Sequence, residues 1–386
     1  MGGAELIGKE EQEAVSEVIG RGVLLRYGFN EKRKNIFKVL DFESQFSKYA
    51  GCKYALGVSS GSAAVRVAVA SLGIKRDDEV ITQSFTFVAT VEGVLEAGAT
   101  PVLTEVDTSL NMDPQDLEAK ITDKTRAIMP VHMLGVPARM DEIMAIARKR
   151  NIPVIEDSCQ ACGSGYKGKK TGTIGAVGTY SFDYVKTLTT GEGGMLVTDD
   201  RKLYELACEY HDHGHVHNPE IPRGEDPHRI TGFNYRMTEV QGAFGLVQLD
   251  RLDYVLGEQR KNKGEIKKAM ASIPQVQFRD LPDPAGDGGD TLAFFLPDAK
   301  VARAFNDHLA KSKVDTKILP SAMNWHFAGN WKHMIQSLPP YRTDAWPKSE
   351  ALLKRAIALP ISVKMSEEQK KRVIEAVLNA AKDVLS

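Results

Sequence analysis

Between residues 53 and 198 short apolar runs alternate with stretches of helical periodicity, and this alternation restricts the chain more than any other feature. Apolar runs at 53–58, 79–82, 100–105, 126–131 and 152–156 are separated by helical patterns at 63–72, 88–97 and 139–150. Strands separated by helices pair in parallel through right-handed crossovers, and the helices cover both faces of the sheet. The pattern therefore predicts an α/β fold with a mostly parallel sheet. After Gly178 the pattern changes. Runs at 179–183 and 195–198 read as strands joined by a polar, glycine-rich segment, and 211–232 is irregular and rich in His, Pro and Gly. One long helix is expected over 238–260, apolar at Val240, Phe244, Val247 and Leu252. Strands are expected within 274–297, split by a loop at 282–290, and further helices at 10–19, 41–50, 300–312 and 366–385. A length of 386 residues suits two domains. The boundary is placed near 255, giving a large domain over 1–255, with the N-terminal helix, and a small C-terminal domain over 256–386.

Composition excludes several classes of function. Lys plus Arg number 50 and Asp plus Glu 51, so the chain lacks the basic excess of a sequence-independent nucleic-acid binder. No apolar run reaches membrane-spanning length. Glu5, Lys9, Glu10 and Glu11 interrupt the apolar core that a signal peptide needs. Met1-Gly2 is followed by Leu6 where myristoylation wants Ser or Thr. Four cysteines fit a reducing compartment, so the expected location is the cytoplasm, away from membranes. Cys159 and Cys162 form a CxxC pair with no second pair and no thioredoxin-like context, and read as packing thiols.

Four local features bear on chemistry. Asp157 follows the apolar run 152–156, and ligands of open α/β sheets bind beyond the carboxyl ends of strands. An Asp there can face a cationic ring nitrogen, or simply cap a turn. Lys186 lies in Ser181-Phe182-Asp183-Tyr184-Val185-Lys186-Thr187-Leu188, before the turn Gly191-Glu192-Gly193-Gly194. A lysine there is either solvated or, if buried, has the depressed pKa that frees an amine for imine formation. Ser59-Ser60-Gly61-Ser62-Ala63-Ala64 sits at a strand-to-helix junction, where free N–H groups favour a phosphate, or where Ser is an ordinary N-cap. In Phe85-Thr86-Phe87 either ring can lie on a flat cofactor or pack in the core. A phosphate cradle, an aromatic plate, an Asp and a Lys are together the parts that hold pyridoxal phosphate.

On Glu156-Asp157-Ser158-Cys159-Gln160-Ala161, Tyr180-Ser181-Phe182, the run from Lys186 to Gly194, Asn234-Tyr235-Arg236-Met237-Thr238-Glu239 and Ala358-Leu359-Pro360-Ile361, the chain resembles the DegT/DnrJ/EryC1/StrS family of sugar aminotransferases, over about residues 5–380. The resemblance implies a fold-type I enzyme with a mostly parallel seven-stranded sheet, helices on both faces, and a smaller C-terminal α+β domain. It implies that Lys186 bonds covalently to the cofactor and that Asp157 pairs with its ring nitrogen. Gln160 would reach the ring hydroxyl, Ser62, Ala63 and Ser181 the phosphate, and Phe87 the ring face. It further implies that Asn234 reaches the cofactor of a neighbouring subunit, making a homodimer with shared sites, with L-glutamate as amino donor and a keto sugar as acceptor.

Two rivals are weighed. In the family's 3-dehydratases a His stands where Lys186 stands here, which disfavours that route. A regulatory protein on this fold would carry an added DNA-binding segment, and none is read ahead of residue 5. Two regions, His211-Asp212-His213-Gly214-His215-Val216-His217 and Asn324 through His333, resemble the transaminase that makes 8-amino-3,8-dideoxy-manno-octulosonate in lipopolysaccharide-producing bacteria. Arg260-Lys261-Asn262-Lys263 and Met270-Ala271-Ser272-Ile273-Pro274 fit that subgroup. A free sugar acid needs cationic and hydrogen-bonding groups for its carboxylate. The candidates are His213, His215, Arg223, His326 and Lys332, with Trp325 and Trp331 to stack on the sugar. The alternating histidines, lacking carboxylate or Cys companions, are not assigned to a metal. The alternative acceptor is a nucleotide-linked keto sugar.

Overall fold

A computed structural model describes residues 2–218, 220–334 and 345–385. The main strands of the large unit are β1 (Tyr54–Val58), β2 (Glu79–Gln83), β3 (Thr100–Thr104), β4 (Thr125–Ile128), β5 (Ile155–Asp157), β6 (Val177–Ser181) and β7 (Gly194–Thr198). A three-stranded ladder, β3-β2-β4, is parallel throughout, and a four-stranded one runs β1-β7-β6-β5. Parallel bridges Ile128↔Val154 and Val131↔Asp157 join the two into one seven-stranded sheet. The direction follows the expectation with one exception. β7 runs antiparallel to both β6 and β1, because the connection 182–193 holds no helix and the chain folds straight back. That connection carries Lys186.

The helix Gly61–Ser71 buries Ala64, Val65, Val67 and Ala68 against the sheet, and β6 and β7 are buried along their whole length. Strands covered on both faces need no polar alternation, which is why they read as continuous apolar runs. The helix expected over 238–260 is instead two helices, Glu239–Asp250 and Leu252–Met270, broken at Arg251. The Arg251 guanidinium turns to the N-terminal segment, donating to the Leu6 carbonyl at 2.8 Å and pairing with Glu10 and Glu11. A division at residue 255 falls in the first turn of the second helix.

The small unit has an antiparallel sheet of β8 (Gln277–Phe278), β9 (Thr291–Phe295) and β10 (Ala356–Pro360), with the helices Ala299–Lys311 and Glu367–Val384. Its side chains alternate between two cores, as a strand's period of two requires. Leu292, Phe294 and Leu296 join Ile357 and Leu359 in the small unit's own core. Ala293, Phe295, Ala356 and Ala358 face the large unit and pack with Phe85, Val88, Trp331 and Trp346. This second cluster brings the small sheet to the carboxyl ends of the large one. Among the described residues no helix is long and apolar enough to cross a membrane.

Candidate active site

A cavity of about 630 Å³ opens where the carboxyl ends of β1, β2, β5 and β6 meet the small unit. Its wall includes Ser60–Ser62, Phe87, Thr90, Asp157, Gln160, Ser181 and Lys186 from the large unit. Lys317, Pro360 and Ile361 contribute from the small one.

Asp157 ends β5 and is 3% exposed. Its Oδ2 accepts from the Thr90 hydroxyl at 2.7 Å and its Oδ1 from the Cys159 N–H at 3.1 Å. The preceding residue faces the other way. The buried Glu156 carboxylate accepts from the N–H groups of Gly172, Ile174 and Gly175 at 2.9, 2.5 and 2.6 Å, and contacts His132 Nε2 at 3.0 Å. The Ala138 N–H donates to His132 Nδ1 at 3.0 Å, so Nε2 carries the hydrogen given to Glu156. Glu156 thus braces the backbone while Asp157 turns to the cavity.

Lys186 lies in the β6–β7 connection and is half-buried rather than sealed. Among the described residues its ammonium has no ion-pair partner. Its own carbonyl accepts from the Gly3 N–H at 3.2 Å, so the N-terminal segment braces the loop.

At the start of the helix Gly61–Ser71, Ser60 is the N-cap and its Oγ accepts from the Ala63 N–H at 3.0 Å. The Ala63 amide is thereby engaged, and among the described residues the first-turn N–H groups of Gly61 and Ser62 have no hydrogen-bond partner. Gly61 is needed there, since a Cβ on it would stand 2.6 Å from Ser181 Cβ. Ser60 is thus the N-cap, and its neighbours leave a donor-lined floor of the kind that suits a phosphate.

Gln160 Oε1 accepts from the Leu134 N–H at 3.1 Å, which fixes the amide orientation and leaves its NH₂ as the donor end. The two phenylalanines part company. Phe85 is core, whereas Phe87 is 41% exposed on the cavity wall, its ring 5.4 Å from that of His326. His326 is held beside it because residues 84–87 pair with 326–328: the Thr86 N–H donates to the His326 carbonyl at 2.8 Å and Ala328 N–H to Ser84 at 2.9 Å. Burial and the charges of Lys186 and Lys317 push the His326 imidazole down, against its hydrogen bond to the Ala322 carbonyl.

The other substrate candidates do not line this cavity. Trp331 is 1% exposed and belongs to the core between the two units, so it has no face left for a sugar. Trp325 is 59% exposed, and Lys332 and His333 are exposed as well. His213 is exposed, while His215 contacts Asp226 at 3.2 Å. Arg223 pairs at 2.7 Å with the buried Asp212, which also holds Arg236. Burial alone would raise the Asp212 carboxyl, but Arg223 and Arg236 outweigh it and hold it far below the usual range. The histidine-rich stretch is therefore wound around a buried charge hub. Asn234 is exposed and bridges to Asp212 through the backbone.

Cys162 lies in a core cluster, and burial pushes its thiol up to about 12. Cys159 lines the cavity, its thiol raised by burial and by Asp157. Sequence reasoning missed Thr90 and Lys317. The spacing of Thr86 and Thr90, four residues apart at a helix start, was the signal for the first, while nothing local marked the second. The arrangement suits pyridoxal phosphate: a donor-lined floor that a Cβ at Gly61 would fill, a buried carboxylate with fixed oxygens, and an amine with no ion-pair partner among the described residues, all on one cavity.

The family model described as the DegT/DnrJ/EryC1/StrS aminotransferase family matches residues 5–378. The chain is 34% identical over 343 residues to a GDP-perosamine synthase of Escherichia coli O157:H7, covering 87% of this chain and 88% of that one. It is 33% identical over 371 residues to dTDP-3-amino-3,6-dideoxy-alpha-D-galactopyranose transaminase of Aneurinibacillus thermoaerophilus, covering 96% and 94%. The solved structure of an aminotransferase from Psychrobacter cryohalolentis superposes with a TM-score of 0.85 at 28% identity, covering 98% of each chain.

Proposed function

The chain belongs to the DegT/DnrJ/EryC1/StrS aminotransferase family, enzymes of fold-type I that use pyridoxal phosphate, and on that premise we propose that it moves an amino group from L-glutamate to the keto sugar 8-keto-Kdo (3,8-dideoxy-8-oxo-manno-octulosonate). The observation that carries the transaminase reading is that Lys186, Asp157 and the free N–H groups of Gly61 and Ser62 open on one cavity.

The cofactor, when bound, supplies an aldehyde that condenses with amines and a ring that takes up an electron pair. Lys186 Nζ would hold the cofactor through its aldehyde and, once released by the donor amine, would stand as the base that moves the proton off the donor α-carbon, with the same residue serving in reverse on the sugar. Asp157, aimed by Thr90 and Cys159, would face the ring nitrogen and hold its proton. The Gln160 NH₂ would orient the ring hydroxyl, Phe87 would cover the ring, and Gly61, Ser62, Ala63 and Ser181 would surround the phosphate. Asn234 of a second copy reaches the same phosphate, so the working unit is a homodimer with shared sites. The four free cysteines support a cytoplasmic enzyme.

The sugar assignment is supported by the His211–His217 and 324–333 motifs and by His326 on the cavity wall. A second reading, a nucleotide-linked keto sugar as acceptor, is favoured by the names of the two relatives, a GDP-perosamine synthase and a dTDP-amino-sugar transaminase. Incubation of the glutamate-treated enzyme with 8-keto-Kdo and with a panel of GDP-, UDP- and dTDP-linked keto sugars separates them. Turnover of the free sugar acid is expected, and turnover of the nucleotide-linked set alone refutes the assignment.

A further inference from the structure

The cavity wall carries two lysines, and the transaminase reading uses one of them. Lys317 enters from the small unit, with a side chain 31% exposed. Its backbone is fixed, for the Lys317 N–H donates to the Ala358 carbonyl at 2.7 Å and its carbonyl accepts from the Leu319 N–H at 2.7 Å. Its ammonium is held by Asp290. Asp290 is held in turn: the Thr291 hydroxyl donates to its Oδ1 at 3.2 Å and its carbonyl accepts from the Ile361 N–H at 2.9 Å. Gly135 makes room for it, because a Cβ there would lie 2.6 Å from Oδ1, and its φ of +74° is one that glycine adopts freely.

An ammonium has three donors and Asp290 takes one. Lys317 lines the same cavity as the Ser60–Ser62 floor and Lys186. A salt bridge that serves only stability has no need to sit on a substrate cavity, and a partly exposed pair contributes little to it. A preorganised cation there recognises an anion.

We infer that Lys317, positioned by Asp290, anchors a carboxylate of the molecule whose reacting atom lies at Lys186. The inference rests on the transaminase reading of this cavity. It supplies the cation for an acid substrate that none of His213, His215, Arg223 and Lys332 supplies from the cavity wall. The carboxylate belongs either to a dicarboxylic amino donor or to a sugar acid, and both demand the same chemistry. His326, whose imidazole burial and the charges of both lysines push down, adds a hydrogen-bonding group on the same cavity wall.

The test is calorimetric titration of the cofactor-loaded wild type, Lys317→Met and Lys317→Arg with two probes that cannot turn over. Glutarate represents the donor and 3-deoxy-manno-octulosonate the sugar acid. Loss of one charged hydrogen bond predicts that Lys317→Met binds at least one probe roughly 10- to 100-fold more weakly, with Lys317→Arg recovering most of the affinity. Loss confined to glutarate assigns the anchor to the donor, and loss confined to the sugar acid assigns it to the acceptor. Unchanged affinities in Lys317→Met, or no binding of either probe to the wild type, overturn the inference. The cofactor absorbance band of each variant is recorded first: its absence in the wild type defeats the transaminase reading itself, whereas an unchanged band with unchanged probe binding defeats only the role of Lys317.

Discussion

The Thr90 hydroxyl donates to Asp157 Oδ2 at 2.7 Å and accepts from the Thr86 hydroxyl, also 2.7 Å away, so a relay of two threonines fixes the carboxylate proposed to face the cofactor ring. Because Thr90 spends its one hydrogen on Asp157, Thr86 must be the donor between the two hydroxyls. Thr90→Val keeps the shape and removes the donor. We expect a stability loss on the order of 1–3 kcal/mol in urea unfolding and a fall in kcat of about tenfold with KM for glutamate little changed, with Thr90→Ser restoring both. An unaltered kcat in Thr90→Val shows that Asp157 needs no such support.

Gly61→Ala separates packing in the phosphate floor from helix propensity. Alanine is the better helix former by about 1 kcal/mol, so the helix Gly61–Ser71 gains locally. Its Cβ nevertheless meets Ser181 Cβ at 2.6 Å. The expected outcome is cofactor affinity reduced at least tenfold, read by titration of the apoprotein with pyridoxal phosphate, while secondary structure by circular dichroism is retained.

Asp212 organises the histidine-rich stretch rather than any chemistry in the cavity. Asp212→Ala strands Arg223 and Arg236 beside a buried site, and loss of one member of a buried pair costs about 3–5 kcal/mol. Arg223→Ala should cost about 1 kcal/mol or less, since its side chain is 41% exposed. Chemical denaturation of the two variants gives both values, and equal losses would contradict the hub.

His211 is buried, with the Tyr27 hydroxyl 3.1 Å from Nε2 and the Cys208 carbonyl 2.6 Å from Nδ1. Burial, then the Arg26 charge, pushes its pKa well below the ordinary value. The folded state therefore binds fewer protons than the unfolded chain once pH falls below about 6.5, and stability drops with acidification at up to ~1.4 kcal/mol per pH unit per histidine. His217 and His326, pushed down chiefly by burial, add to the slope. Urea unfolding between pH 7 and pH 5 should show this fall, with a shallower slope in His211→Gln. A parallel slope in the variant contradicts the assignment.

The large sheet was legible because strands buried on both faces are runs without polar interruption, and the placement of Asp157 and Lys186 on one cavity because each comes after such a run. The reversal of β7 was not, since nothing in the apolar run 195–198 states its direction; the missing helix in 182–193 does. Trp331 misled because its neighbours Asn330, Lys332 and His333 are polar, and a residue between single 3₁₀ turns has no periodicity to show its buried face. Arg251 misled in the opposite sense, as an arginine within a helical pattern whose tie to the N-terminal segment is long-range. Lys317 and Asp290 come from distant parts of the chain and meet only through the small sheet.

The central claim is the covalent bond between pyridoxal phosphate and Lys186. Reconstituted protein is reduced with borohydride, digested, and mapped by mass spectrometry, in parallel with Lys186→Ala, whose turnover should fall by at least ~10². One phosphopyridoxyl label is expected, on the peptide containing Lys186, and none in the variant. A colourless reconstituted protein, or a label on another lysine that persists in Lys186→Ala, would contradict it.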